Sequence, residues 1–438
     1  MPSVVSSVYC TFGRSGGRLV KAVAADQDGP HSAASAPARR HRRSGRTLEL
    51  TVSHAIYACG VSVVATDVAD ADAFADAVAT AAEETGAEFA LVFFSQSLIG
   101  AQPLARALAR QAPGLRYAGC STAGEITPGG LAEGQVLAIL FPRASFDVAT
   151  TMIRRLSSSG MDAIAGEVER LKQQLSADGA SMRSGQVFAL CFVDGLSYAE
   201  EALTSAIHWS LDDIPLIGGS AGDDLKFETT ALFTDGGVDT DCAVIVLVAT
   251  SLPFQVFKTE NFVPTGDKLV VTASDPDHRI VREFNAAPAA EEYAAAIGLD
   301  PGSLTPMSFA SHPVVVRVGG EYYCRSIQKV HPDGSLSFFC AIDDGIVLTI
   351  AQPKGMVEST RAAFRTVDEK LGGTDVILGF DCVLRRLDAQ NRQVFRDMSE
   401  LYRENNVVGF GTYGEQYRSM HLNQTFTGIA FGRPQAAE

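Results

Sequence analysis

Three segments of this chain follow one plan, and that repetition constrains the fold more than any single motif. Each runs apolar strand, amphipathic helix, apolar strand, then a Gly-rich turn that includes an acid. The first starts at Phe89-Ala-Leu-Val-Phe-Phe, continues through a helix around Leu104–Ala109 and ends at Tyr117-Ala-Gly-Cys-Ser-Thr-Ala-Gly-Glu125. The second starts at Val187-Phe-Ala-Leu-Cys-Phe, passes through a helix over Ala199–Leu211 and ends at Leu216-Ile-Gly-Gly-Ser-Ala-Gly-Asp223. The third starts at Val376-Ile-Leu-Gly-Phe, passes through a helix over Gln390–Glu404 and ends at Val408-Gly-Phe-Gly-Thr-Tyr-Gly-Glu415. Helical spacing supports these readings: Leu203, Ile207 and Leu211 fall four apart, and Val394, Met398, Leu401 and Tyr402 share one face. Ser197 and Glu200 have capping-box spacing, and Pro103 suits a first helical turn.

Strand–helix–strand units with apolar strands are βαβ crossovers, so the expected fold is α/β, with parallel strands covered by helices. The Gly-rich turns then lie at strand carboxyl ends, where open α/β sheets gather ligands. Glycine there permits positive φ and close backbone approach. Val61–Ala65 with a helix over Ala71–Glu84 adds a βα step at the front, and Ile164, Val168, Leu171 and Leu175 mark a linking helix. Gln135–Phe141 with Phe146–Met152, and Ala243–Ala249 with Phe254–Glu260, are expected to pair as antiparallel additions. From Asn285 the texture changes. A short helix over Pro288–Ile297 precedes Val314–Val318, Glu321–Val330, Ser335–Ala341 and Ile346–Ala351, an antiparallel β meander with turns at Gly319-Gly320 and Pro332-Asp333-Gly334. The expected organisation is a basic tail over 1–55, an α/β domain over 56–278, and a C-terminal domain over 279–432 that joins the meander to the third βαβ unit.

Composition narrows the function classes. The net charge of −15 repels phosphate, which argues against nucleic-acid binding. No apolar run reaches the roughly 20 residues of a membrane span, so stable membrane insertion is not expected. Arg39, Arg40, Arg42, Arg43 and Arg46 lie among Gly, Ser and Ala in a tail with little apolar surface, expected to be irregular and dispensable. The eight cysteines are scattered without a CxxC pair, as in a reduced cytoplasmic protein.

The turns Gly119-Cys-Ser-Thr-Ala-Gly-Glu125 and Ile217-Gly-Gly-Ser-Ala-Gly-Asp-Asp224 resemble the FIST N-terminal domain. Glu283-Phe-Asn-Ala-Ala-Pro-Ala, Tyr323-Cys-Arg-Ser-Ile, Gly411-Thr-Tyr-Gly-Glu-Gln and His421-Leu-Asn-Gln-Thr-Phe-Thr resemble the FIST C-terminal domain. The likeness spans about residues 60 to 432. It implies a small-ligand sensor that is not an enzyme and reports to a signalling partner: a histidine kinase, a cyclic-di-GMP enzyme or a chemotaxis component. Glu260-Asn-Phe-Val-Pro-Thr, Lys268-Leu-Val-Val-Thr and Phe309-Ala-Ser-His-Pro are similar to the nitric-oxide-sensing NosP branch, which implies haem b. No CxxCH motif exists, so such a haem would be held non-covalently.

An axial ligand calls for a neutral His. His31, His41 and His54 precede the first repeat, and His278 and His331 lie in polar turns. His312 stands beside an apolar strand and before Pro313, which makes it the first candidate, with His208 and His421 in reserve. His421 shares a polar row with Asn423, Thr425 and Thr427. Each is equally readable as a structural histidine. For a small ligand the turns offer Ser121, Thr122, Glu125, Ser220, Asp223, Thr412 and Glu415. The three acids, placed alike beside hydroxyls, suit recognition of an amine, in keeping with the amino-acid-like ligands that the resemblance implies. Each acid is equally able to cap its own turn. Arg317, Arg325, Arg385 and Arg386 are possible carboxylate partners, Arg325 the best placed by motif. The alternative is a hydrolase or transferase using Cys120 or Ser121 with Glu125 as acid or base, although no Cys–His–Asn/Asp pattern or Gly-x-Ser-x-Gly elbow accompanies them.

Overall fold

The first helix forms for local reasons. Asp70 accepts from the Asp72 and Ala73 amides, a left-handed Gly86 ends the helix, and Phe74, Ala75, Val78, Ala81 and Ala82 make its buried face. The computed structural model describes residues 52–177, 179 and 185–434. Most of the expected basic tail lies outside them, and the first described segment, Ser53–Ile56, is already a strand (β1).

Three units follow. The first comprises β2 (Ser62–Thr66), α1 (Ala71–Thr85), β3 (Ala87–Phe94), α2 (Ala101–Gln111), β4 (Arg116–Ser121), the hairpin β5 (Glu125–Thr127) and β6 (Gly130–Ala132), and β7 (Val136–Pro142). The second comprises β8 (Phe146–Arg154), α3 (Met161–Ala177), β9 (Val187–Asp194), α4 (Glu200–Leu211), β10 (Leu216–Ala221), the hairpin β11 (Leu232–Thr234) and β12 (Gly237–Asp239), and β13 (Cys242–Thr250). The third opens with β14 (Phe254–Glu260). The meander interrupts it: β15 (Phe262–Asp275), β16 (Ile280–Phe284), β17 (Ala287–Pro288), α5 (Ala289–Ala296), α6 (Pro306–Ser311), β18 (Val314–Val318), β19 (Glu321–Arg325), β20 (Ile327–Val330), β21 (Leu336–Phe338) and β22 (Val347–Pro353). The unit then resumes with α7 (Met356–Leu371), β23 (Thr374–Cys382), α8 (Val383–Asn391), α9 (Phe395–Glu404), β24 (Val407–Thr412), the hairpin β25 (Glu415–Tyr417) and β26 (Met420–Leu422), and β27 (Thr425–Gly432).

In each unit the two strands flanking the second helix are parallel, as expected of a crossover. The three sheets share one strand order: β2-β7-β3-β4-β11-β12, β8-β13-β9-β10-β25-β26 and β14-β27-β23-β24-β5-β6. The last two strands of every sheet come from another unit. The first unit's hairpin joins the third sheet, the third unit's joins the second, and the second unit's joins the first, which closes a ring of exchanges. The inner faces share one core, where Phe93 packs on Phe192 at 5.4 Å and Phe192 on Phe380 at 6.0 Å between ring centroids. The helices cover the outer faces in three further cores, and the meander has a core of its own.

Four local expectations are corrected. β7 and β8 do not pair; β7 lies between β2 and β3 while β8 edges the next sheet. Nor do β13 and β14, for the same reason. Burial overrides the hairpin: Phe141 and Phe146, on either side of the first connection, both face the common core with ring centroids 5.1 Å apart. The helix expected over Gln390–Glu404 is two, α8 and α9, because the chain reverses at Gln393 with φ of 61°. Ser197 does not cap α4, since its hydroxyl donates to the Asp194 carbonyl at 2.7 Å and the Glu200 carboxylate is taken by Arg279. The expected division at 278/279 falls inside the inserted sheet, between β15 and β16, which pair with each other.

Candidate functional site

The strand-end turns converge, but the glycines in their strands serve the backbone. Gly119, Gly218 and Gly409 hold one position in the three parallel pairs. A Cβ at any of them would overlap the carbonyl of Val92, Cys191 or Gly379 on the adjacent strand. Beyond them the turns bind one another. Ala123 N donates to Gly411 O at 2.8 Å and Gly411 N to Gly124 O at 2.7 Å; Ser220 N donates to Gly414 O at 2.7 Å and Ser121 N to Ala231 O at 2.8 Å.

The polar side chains of the turns are buried and engaged locally. Glu125 accepts from the Thr122 hydroxyl and from the Gln135 amide at 3.0 Å. Glu415 accepts from the hydroxyls of Thr412 and, at 2.5 Å, Thr425. Burial pushes both carboxyls up, Glu125 to about 7 and Glu415 to about 8. These two acids are equivalent, each standing opposite the residue after the tight glycine of a neighbouring unit. The matching residue of the second unit is Leu232, opposite Cys120. Asp223 therefore does not share their place. It lies in the longer connection from β10 to β11 and accepts from the Phe227, Glu228 and Thr229 amides at 2.7–2.9 Å and from the Tyr413 hydroxyl. Ser121 donates to Gly222 O at 2.6 Å and accepts from Ala231 N. Cys120 faces the central core with its thiol pushed well above the ordinary range by burial. Neither residue is placed beside a general base.

The repeat is broken at one place, and the break makes a buried polar cluster. Each exchanged hairpin presents one cross-strand pair to the helix layer of its host sheet. In β5–β6 it is Ile126 with Leu131, and in β11–β12 it is Phe233 with Val238, both packed in apolar cores. In β25–β26 the pair is Gln416 with His421. Gln416 donates to Ser220 Oγ at 3.0 Å, and its Oε1 has no partner. Asn423, fully buried, leaves both its amide oxygen and nitrogen unpartnered, and buried Thr427 leaves its hydroxyl so. Gly414 is required beside them, because a Cβ there would overlap the His421 ring. An orphaned buried amide costs about 1–3 kcal/mol, so a cluster of them marks a place where something else supplies the hydrogen bonds.

The insert and α4 supply charge around this cluster. Arg325 Nη1 donates to the His421 carbonyl at 3.1 Å. Arg279 bridges Glu200 at 2.6 Å and Glu201 at 2.9 Å, and Glu201 also accepts from the Ala341 amide at 2.9 Å. Burial pulls His421 down to about 4, aided by Arg279 and Arg325 against the opposing field of Glu201, so the imidazole is neutral at neutral pH. Of the residues singled out in the sequence, Ser220, Arg325 and His421 meet here. Gln416, Glu201 and Arg279 were missed. Gln416 carried a signal, a polar residue where the repeat has apolar ones; Arg279, in a polar turn, carried none. The polar row from His421 to Thr427 does not lie on one strand: it is divided between β26 and β27, which belong to different sheets, with Gln424 at φ 53° between them.

The other candidates lie apart. His208 is on α4 beside the exposed Trp209. His312 ends α6, its carbonyl accepting from Tyr293 OH at 2.7 Å, and its Nδ1 is buried without a partner. Arg317 lies over the Tyr322 ring. Arg385 is fully buried and bonds Asp381, Asn261 and Thr360. Among the described residues no helix is long and apolar enough to cross a membrane, and no group of three or more His, Cys, Asp or Glu converges as for a metal ion.

Fold and cluster together define a three-unit α/β protein with a β insert beside a buried polar cluster. The FIST N domain matches residues 88–287 and the FIST C domain residues 289–418. The chain belongs to the FIST family, whose domains serve in sensing and signal transduction. It is 23% identical over 262 residues to an uncharacterized protein of Methanocaldococcus jannaschii, a match covering 51% of this chain and 50% of that relative. The chain thus spans about half the length of that curated relative. A crystal structure of cyanuric acid hydrolase from A. caulinodans aligns with 85% of this chain and 99% of that one, at 9% identity and a TM-score of 0.37, too distant to bear on chemistry.

Proposed function

We propose that this protein is a sensor that binds a small polar ligand of amino-acid type at the buried polar cluster around His421 and passes the event to a signalling partner such as a histidine kinase, a cyclic-di-GMP enzyme or a chemotaxis component. The observation that carries the reading is the pair of fully buried amides, Asn423 and Gln416, with three polar atoms unpartnered beside a neutral imidazole. A ligand supplies those bonds. Arg325 suits its carboxylate and Glu201 its ammonium, with Ser220 and Asn423 reading polar atoms between. The role is binding rather than bond-making, because neither Cys120 nor Ser121 has a base beside it. The test is a thermal-shift and calorimetric screen of the full chain against the proteinogenic amino acids, repeated with Asn423→Leu. Ligand at about 100 times its Kd stabilises by about 2.7 kcal/mol. One amino acid should raise the wild-type Tm, and Asn423→Leu should lose that rise while the unliganded protein stays folded. A screen in which none binds, or in which Asn423→Leu responds like wild type, removes the reading.

A second reading, haem b with nitric oxide, is favoured by the buried, unpartnered Nδ1 of His312. Bound haem would supply a gas-binding iron there. Protein expressed with haem available should show a Soret band that shifts with nitric oxide and is lost in His312→Ala. A flat spectrum rules this reading out and leaves the first untouched.

A further inference from the structure

A pocket that shares no lining residue with the His421 cluster opens where the first unit's turn, the second unit's connection and α8 of the third unit meet. Its volume is about 220 Å³. Ala123, Gly124, Asp224, Leu225, Arg386 and Leu387 line it, with Glu133 and Gln390 at the rim. Arg386 is only 7% exposed. Its Nη1 donates to the Ala123 carbonyl at 3.1 Å, its Nη2 meets Glu133, and its guanidinium lies 5.7 Å from the Phe395 ring. Gly124 is glycine for this reason, since a Cβ there would overlap Arg386 Nη1.

The partnership is lopsided. Arg386 is buried, but the Glu133 side chain is 70% exposed. Exposed carboxylates gain little from such pairs and leave them readily. A guanidinium fork matches a planar carboxylate in two parallel bonds, whereas Glu133, itself a lining residue, meets Arg386 through Nη2 alone, with Nη1 turned to the Ala123 carbonyl. The other acid of the wall, Asp224, is held on one oxygen by Ser95 Oγ at 2.9 Å, Ser97 Oγ at 2.8 Å and Ser97 N at 3.2 Å. Asp224 and Leu225 both have left-handed backbone, with φ of 57° and 65°, in a connection that is shorter in the other two units. Non-glycine residues hold that conformation at a cost, and Leu225 lines the pocket together with Leu387.

We infer that this pocket binds a small aliphatic carboxylate, whose carboxyl group takes the place of Glu133 on Arg386 and whose short chain packs between Leu225 and Leu387. Glu133 is then a built-in competitor. The test is calorimetric titration of the full chain with butyrate, with butyramide as the neutral counterpart. Butyrate should bind and butyramide should not. Glu133→Gln removes the competitor from the surface and should tighten butyrate roughly two- to fivefold. Arg386→Gln should abolish it; should that variant fail to fold, the comparison of Glu133→Gln with wild type decides alone. Butyrate heats absent in both wild type and Glu133→Gln, equal binding of butyramide, or affinity unchanged in Glu133→Gln would each overturn the inference.

Discussion

Glu415 sits where the repeat would place it, in a dry layer above the shared core, with two threonine hydroxyls donating to it. Burial outweighs those bonds and holds its folded pKa near 8, against an ordinary 4.5. Between those values the native state keeps a proton that the unfolded chain releases. Stability from this group is therefore full below about pH 4.5, falls as pH rises towards 8, and levels off above. Glu125 contributes the same way up to about 7. His421 acts in the opposite sense below 6.5, since its folded value near 4 makes stability fall on acidification. Glu415→Gln isolates the first effect. It should gain stability relative to wild type as pH rises from 5 to 8.5, on the order of a few kcal/mol, read from Tm differences at the two ends. Equal differences at both ends would mean that Glu415 is already ionised in the folded protein. The turn acids were visible in the sequence because Gly and Glu recur together. That Asp223 is not the third of them was not visible, because the connection from β10 to β11 is longer and only strand register reveals Leu232 as the counterpart.

At the scale of elements, the meander was legible from its alternation and its Gly-Gly and Pro-Asp-Gly turns, but its place in the chain was not. It enters the third unit between β14 and α7, and its ends pair with each other, Phe262 opposite Pro353. Lys354 N also donates to Asn261 O at 2.6 Å. An insert with adjacent ends and its own core is separable. Replacing 262–353 with a short Gly/Ser linker should leave a folded three-unit protein, judged by a cooperative thermal transition and α/β circular dichroism. Ligand binding at the His421 cluster should be lost, because Arg279 and Arg325 go with the insert. A deleted protein that melts without a cooperative transition would mean that the meander is part of the structural ring. The single expected helix that became α8 and α9 illustrates the limit of periodicity: Val394, Met398, Leu401 and Tyr402 do share a face, and nothing in that spacing announces the left-handed Gln393.

Across the whole molecule, no unit completes its own sheet. A fragment ending at Leu252 would keep two units, yet it would leave β10 without β25 and the β5–β6 hairpin without β24. It would also expose the central core where Phe380, Phe410, Ile429 and Phe431 now close it. Burial of that core is the main favourable term, so the fragment should expose apolar surface and bind a hydrophobic dye, whereas the full chain unfolds in one transition. A fragment with a sharp transition of its own would show that the exchanged hairpins are dispensable. The sequence by itself determined the local pieces of this protein: three strand–helix–strand units, their glycine turns and the meander. Those follow from periodicity, turn chemistry and composition within a few residues. Only the tertiary structure decided that β7 and β8 part company, that hairpins cross between units, and that Gln416, His421 and Asn423 meet Arg279 and Arg325 from the insert. Those outcomes rest on burying Phe141, Phe146 and their partners in one common core, a contact between residues far apart in the chain that no local pattern encodes.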